Sequence, residues 1–126
     1  MMQVASLRGV LEELVKKARE SREARELIAK ACSHYPGKVL QFKAGGEKLY
    51  LVLYADGSIE LKEGEYPAPD VHYIAEESTL VDMLLGRASV KALTRDWTLV
   101  VEGAMHETEH LLKLARLLLG RDHEPA

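Results

Sequence analysis

The chain has 126 residues, enough for one domain that buries roughly two thirds of the surface its unfolded form exposes, so no disulfide or metal staple is required. Charged residues make up 29% of it, acids and bases are interspersed and the formal net charge is −3, which excludes a polyanion-binding stripe. No nucleic-acid partner is expected, membrane contact is at most transient, and the single cysteine, Cys32, excludes an internal disulfide framework and reads as a core residue in a reducing compartment.

The first residues lack the basic and apolar regions of a signal peptide, no apolar run is long enough to span a bilayer, and the C-terminus carries no peroxisomal address. A cytoplasmic protein is the expectation. From Ser6 to about His34 the apolar residues recur at helical spacing: Leu7, Val10, Leu11, Leu14, Val15 and Ala18, then Ala24, Leu27, Ile28, Ala31 and Cys32. The charged run 19–23 interrupts this stripe, and Ser21 is placed to cap a second helix, so the region reads as one long helix or a helix pair. Pro36-Gly37 ends it.

A β-meander follows, with strands expected at Lys38–Ala44, Lys48–Ala55 and Ser58–Lys62, separated by Gly45-Gly46 and Asp56-Gly57. A two-residue Asp-Gly loop would set Ile59 and Leu61 beside Tyr50, Val52 and Tyr54. A three-residue loop Ala55-Asp56-Gly57, with Gly57 left-handed, sets them beside Leu49, Leu51 and Leu53, and is favoured because it makes one face wholly apolar together with Leu40 and Phe42. The loop Glu63–Asp70 then delivers a fourth strand, Val71–Ala75. A short helix from Glu76 to Leu85 ends at Gly86, a second spans Ala88–Arg95, and Trp97–Glu102 reads as a fifth strand with Trp97, Leu99 and Val101 on one face. Gly103 turns the chain into a final helix, Ala104–Leu119. The sum is an α+β layer arrangement: a five-stranded, mainly antiparallel sheet packed by N-terminal, middle and C-terminal helices.

The final helix carries the most tempting motif. His106-Glu107-Thr108-Glu109-His110 fits H-E-x-x-H, in which two histidines one turn apart bind zinc and the glutamate acts as general base. Counting about 100° per residue from Ala104, the apolar stripe of this helix centres at about 20–30°, whereas His106 and His110 fall at about 200° and 240°. Both imidazoles are therefore expected on the outer side, and the later candidates for a third ligand, Asp122, His123 and Glu124, lie in a short tail. His106 and His110 remain the only metal candidates, and a zinc metallohydrolase is a remote alternative. Leu114 and Leu117 fall outside the stripe, which widens the apolar surface beyond what packing on one sheet requires. No nucleophile elbow, Walker loop, dinucleotide fingerprint or CxxC pair occurs, so no catalytic residue and no cofactor is expected.

The ordered set Lys38–Phe42, Tyr50–Leu53 with Asp56-Gly57, Pro69-Asp70-Val71, Glu76-Glu77-Ser78 with Leu84-Leu85-Gly86, and the helix–strand–Gly103–helix finish resembles the sterol carrier protein 2 domain over roughly Ala24 to Leu119. The resemblance implies a single domain over 1–126, with 1–23 a helical extension, 24–119 the core and 120–126 a tail. It also implies an apolar tunnel in which acyl chains, sterols or similar lipids are bound without chemistry and transferred. The lining expected for such a tunnel is Leu40, Phe42, Leu49, Leu51 and Leu53 from the meander, Met83 and Leu84 from the short helix, Trp97 and Leu99 from the last strand, and Met105, Leu111, Leu114 and Leu118 from the final helix. The competing reading is an interaction module with a filled core, forming a homodimer or docking a partner through Tyr50, Val52 and Tyr54 or through the outer side of the last helix.

Overall fold

The computed structural model describes residues 5–120; the rest of the expected tail, with Asp122, His123 and Glu124, lies outside the described residues. The N-terminal region is a helix pair, α1 (Leu7–Arg19) and α2 (Arg22–Ala31). Each begins at a serine whose hydroxyl accepts an otherwise unpaired backbone N–H: Ser6 from Gly9 at 3.0 Å and Ser21 from Ala24 at 3.1 Å. The cap at Ser21 is what divides the two helices. The first of them is no appendage, since Leu7, Leu11 and Leu14 are fully buried in the same cluster as the sheet residues. Its first turn is also tied to a later helix, the Leu7 N–H donating to Glu77 Oε2 at 2.9 Å.

Strands β1 (Gly37–Ala44), β2 (Glu47–Tyr54), β3 (Ile59–Glu63), β4 (Val71–Ile74) and β5 (Val100–Gly103) form one sheet in the order β3-β2-β1-β4-β5. The β1–β4 pair is parallel and the rest are antiparallel. The β2–β3 turn is the three-residue loop, with Tyr54 and Ser58 closing it and Gly57 at φ 91°. Leu53 is therefore opposite Ile59, and Leu51 opposite Leu61. Gly57 is required for a second reason: a Cβ there would stand 2.7 Å from the Arg25 carbonyl oxygen, so the turn packs directly on the backbone of α2.

One sheet face carries Leu40, Phe42, Leu49, Leu51, Leu53, Ile59, Val71 and Tyr73, all buried. The helices pack on it: α1 against β3, α2 against β2, and the short helix α3 (Glu77–Leu84) against β1. The last helix, α5 (Glu107–Leu119), packs chiefly on α2 and also on α1 and α3. Leu111 and Leu114 are both buried in this packing, while Leu117 is exposed. The other sheet face is crossed by the segment 64–70. Gln41, fully buried there, donates to the carbonyls of Gly64 and Leu49 and accepts the Tyr66 N–H at 2.7 Å.

Two local expectations are corrected. The fifth strand begins at Val100, three residues later than the β-propensity of Trp97-Thr98-Leu99 indicates. Trp97 instead ends the helix α4 (Val90–Arg95): its N–H donates to Thr94 O at 3.2 Å, Thr98 N–H donates to Leu93 O at 3.0 Å, and Trp97 has φ 60°. That is a Schellman ending with tryptophan in the left-handed position where glycine is usual. The final helix begins at Glu107, so Met105 lies in the preceding turn, where helical angles counted from Ala104 do not apply.

Candidate functional site

Of the expected lining residues, Leu40, Phe42, Leu49, Leu51, Leu53, Met83, Leu84, Leu99, Leu111 and Leu114 come together in one buried cluster, and Leu118 packs half-buried against it. Trp97 and Met105 do not join it, being 81% and 49% exposed. The cluster's packing includes the stacked rings of Phe42 and Tyr73, 5.3 Å apart at their centroids. It opens at a seam between α2 and α5, lined by Leu27, Ile28, Ala31, Leu53, His110, Lys113 and Leu114. The seam encloses about 10 Å³, room for about one water. Leu53 and Leu114 belong to the expected lining; Leu27, Ile28 and Ala31, from the apolar stripe of α2, join them because α2 lies alongside α5.

At the inner side of this seam sits a polar cluster that periodicity did not single out. Lys38, on the same face of β1 as Leu40 and Phe42, is 6% exposed and makes a short ion pair with Glu107, which is 3% exposed. The aromatic ring of Tyr35 lies 5.1 Å from the Lys38 ammonium. His106 Nε2 lies 3.3 Å from Glu107 Oε2 and His110 Nε2 3.9 Å from Oε1. Beside Glu107, the hydroxyls of Thr108 and Tyr73 are 2.8 Å apart, and burial pushes the Tyr73 phenol well above its ordinary range. Cys32 donates to the Leu53 carbonyl at 3.4 Å, and burial raises its thiol, with Lys38 pulling the other way. A buried, raised thiol is a packing residue rather than a nucleophile.

The signal for this cluster was present in the sequence. Strand parity sets Lys38 with Leu40 and Phe42, and Glu107 falls at about 300° on the helical count, closer to the apolar stripe than either histidine. In the H-E-x-x-H stretch the Glu107 carboxylate is already engaged. The carboxylate that would be the general base is ion-paired to Lys38, both histidines face that carboxylate, and among the described residues no group of three or more His, Cys, Asp or Glu is arranged to hold a metal ion. On the outer sheet face, the Tyr54 hydroxyl donates to Glu60 and Tyr50 packs on Tyr66 at 5.5 Å, so both rings have partners within the chain. No helix among the described residues is long and apolar enough to cross a membrane.

No curated protein matches the chain significantly by sequence. In fold it is similar to the ubiquinone synthesis protein UbiJ-SCP2, with a TM-score of 0.68 and 22% identity over 89% of this chain and 94% of that one. It is similar also to the apo form of sterol carrier protein 2 from Yarrowia lipolytica, with a TM-score of 0.63 and 13% identity over 94% and 98% of the two chains. A stereoselective inverting sec-alkylsulfatase from Pseudomonas sp. contains a similar unit, with a TM-score of 0.59 and 18% identity over 69% of this chain but 14% of that one. At such identities these likenesses establish the fold, not an activity. The profile of the SCP-2 sterol transfer family matches residues 11–118, from within α1 to the last turn of α5, and the chain belongs to that family.

Proposed function

We propose that the protein binds lipids or other long apolar molecules without chemistry and passes them on, the ligand entering the inner layer by way of the seam between α2 and α5. The observation that carries this reading is the composition of the seam: its walls are Leu27, Ile28, Ala31 and Leu114, and its floor, Leu53, belongs to the wholly apolar face of β2. At about 10 Å³ the seam holds no ligand as it stands, so a bound molecule makes its room by parting α2 from α5. Burial of ligand hydrocarbon, at about 0.8 kcal/mol for each CH₂, offsets the cost of that parting for a long chain. Membership of a family described as sterol transfer supports the lipid part of the reading. Among the groups along the seam, none is an activated nucleophile or a free general base, which supports binding rather than catalysis.

The test is a titration of a fluorescent long-chain fatty acid into delipidated protein, together with native mass spectrometry of the protein as purified. Saturable binding at micromolar concentration, or a copurifying apolar molecule, is expected. The absence of both saturable binding and a copurifying apolar species would overturn the proposal.

A further inference from the structure

We infer that the seam between α2 and α5 selects amphiphiles with an anionic head, a long-chain carboxylate above all, and that Lys113 and His110 are its specificity-determining residues, holding the head at the rim while the tail runs inward. The inference rests on the reading of the seam as the ligand's entrance and adds the chemistry of the polar end. The first observation is the sign of the charge around the opening. Five of the seven lining residues are apolar; the other two, His110 and Lys113, are bases, and none is an acid. Of the acids on the two helices, Glu23, Glu26 and Glu109 are exposed and outside the lining, and Glu107 is paired to Lys38. This basic rim stands in a chain whose formal net charge is −3, so overall charge alone would favour a cation.

The second observation is that Lys113 has no acid of its own. Glu109, one helical turn before it, is the partner that helical spacing offers, yet among the described residues Lys113 makes neither an ion pair nor a side-chain hydrogen bond. A flexible, exposed ammonium without a partner is open to a carboxylate that arrives beside it, and His110, three residues earlier on the same helix surface, adds a ring N–H. The third observation is what lies deeper. Lys38, opposite the floor residue Leu53 in the β1–β2 register, is already neutralised by Glu107. A second carboxylate carried inward would stand there as an uncompensated buried charge. At the rim the two demands are compatible, with hydrocarbon inside and the head in water beside two bases. A sterol's hydroxyl offers Lys113 an acceptor without a charge, and a cationic head is repelled, so the rim favours the acid over both.

The experiment is titration calorimetry of the delipidated full chain with laurate and with dodecylammonium, which share a tail and differ in the sign of the head. At neutral pH and low salt laurate should bind about tenfold more tightly, and the ratio should shrink as salt is added. Lys113→Gln should lower the laurate-to-dodecylammonium affinity ratio about fivefold, and Lys113→Glu should reverse the order. Lys91→Glu, which makes the same change of charge at an exposed position on α4, should shift the ratio less than about twofold. His110→Gln/Lys113→Gln should leave no preference. Equal affinities in the parent, a tighter dodecylammonium, an unchanged ratio in the Lys113 variants, or equal shifts from Lys113→Glu and Lys91→Glu would overturn the selectivity while leaving the seam as an entrance. Saturable binding of neither amphiphile would overturn the entrance and this inference with it.

Discussion

Replacing Glu107 by glutamine tests the polar cluster beneath α5 most sharply. The change keeps the shape of the side chain and its ability to accept a hydrogen bond, but removes the negative charge opposite the Lys38 ammonium. Lys38 is 6% exposed and, among the described residues, Glu107 is the carboxylate it pairs with, so its charge would be left in the core beside the Tyr35 ring. Breaking a buried ion pair from one side costs about 3–5 kcal/mol. Because glutamine still accepts a hydrogen bond, the lower end applies, about 3 kcal/mol, a large share of the roughly 5–15 kcal/mol that holds a domain folded. In thermal unfolding this corresponds to a loss of about 10 °C. The companion variant Lys38→Met/Glu107→Leu removes both charges and fills the space with apolar atoms, and should lie within about 1 kcal/mol of the parent or above it. Urea unfolding of the parent, Lys38→Met, Glu107→Leu and the double completes the cycle, with Glu107→Gln measured beside them. A Glu107→Gln protein within about 1 kcal/mol of the parent, or a double variant as unstable as the single, would refute the account of this pair as a buried, mutually dependent unit.

Gly57→Ala should destabilise by about 2 kcal/mol or more, since the left-handed backbone and the Arg25 carbonyl 2.7 Å away both oppose a Cβ; an effect below about 0.5 kcal/mol in urea unfolding would contradict the packing of the β2–β3 turn on α2. Trp97→Gly should be more stable than Trp97→Ala by about 1 kcal/mol, because both lose an exposed ring and only glycine relieves the left-handed position. Stability should fall in alkali: the Cys32 thiol and the Tyr73 phenol are both raised by burial, so their contribution is complete below the ordinary values of 9.0 and 10.0 and is lost as pH climbs past them. Unfolding midpoints at pH 8 and pH 11 check this, and Tyr73→Phe with Cys32→Ser should flatten the loss.

The parts of the fold legible in the sequence are those fixed by local chemistry. Ser21 marks the break between two helices because a hydroxyl is needed there, and Asp56-Gly57 sets the register of the meander because a one-residue slip would expose every leucine. The ordered set of strands and turns carries the family. What was not legible depends on neighbours distant in the chain. Gln41 falls on the half-open sheet face by parity, yet it is fully buried because the segment 64–70 crosses that face and uses its amide. Lys38 on an apolar face looks like an exception until Glu107, sixty-nine residues on, is seen to meet it. Trp97 misleads because a Schellman ending is read from glycine, and here the position holds a strand-favouring aromatic. The seam itself arises from α2 and α5 lying side by side, which neither helical period encodes.

The central claim is that an apolar ligand enters between α2 and α5. Methyl NMR of the delipidated protein during titration with a long-chain fatty acid addresses it directly. Saturable shifts concentrated on Leu27, Ile28, Ala31, Leu53 and Leu114, with smaller changes on α1, are predicted. Saturable binding whose shifts leave those five residues unmoved would contradict the route, and no saturable shift anywhere would contradict the binding itself.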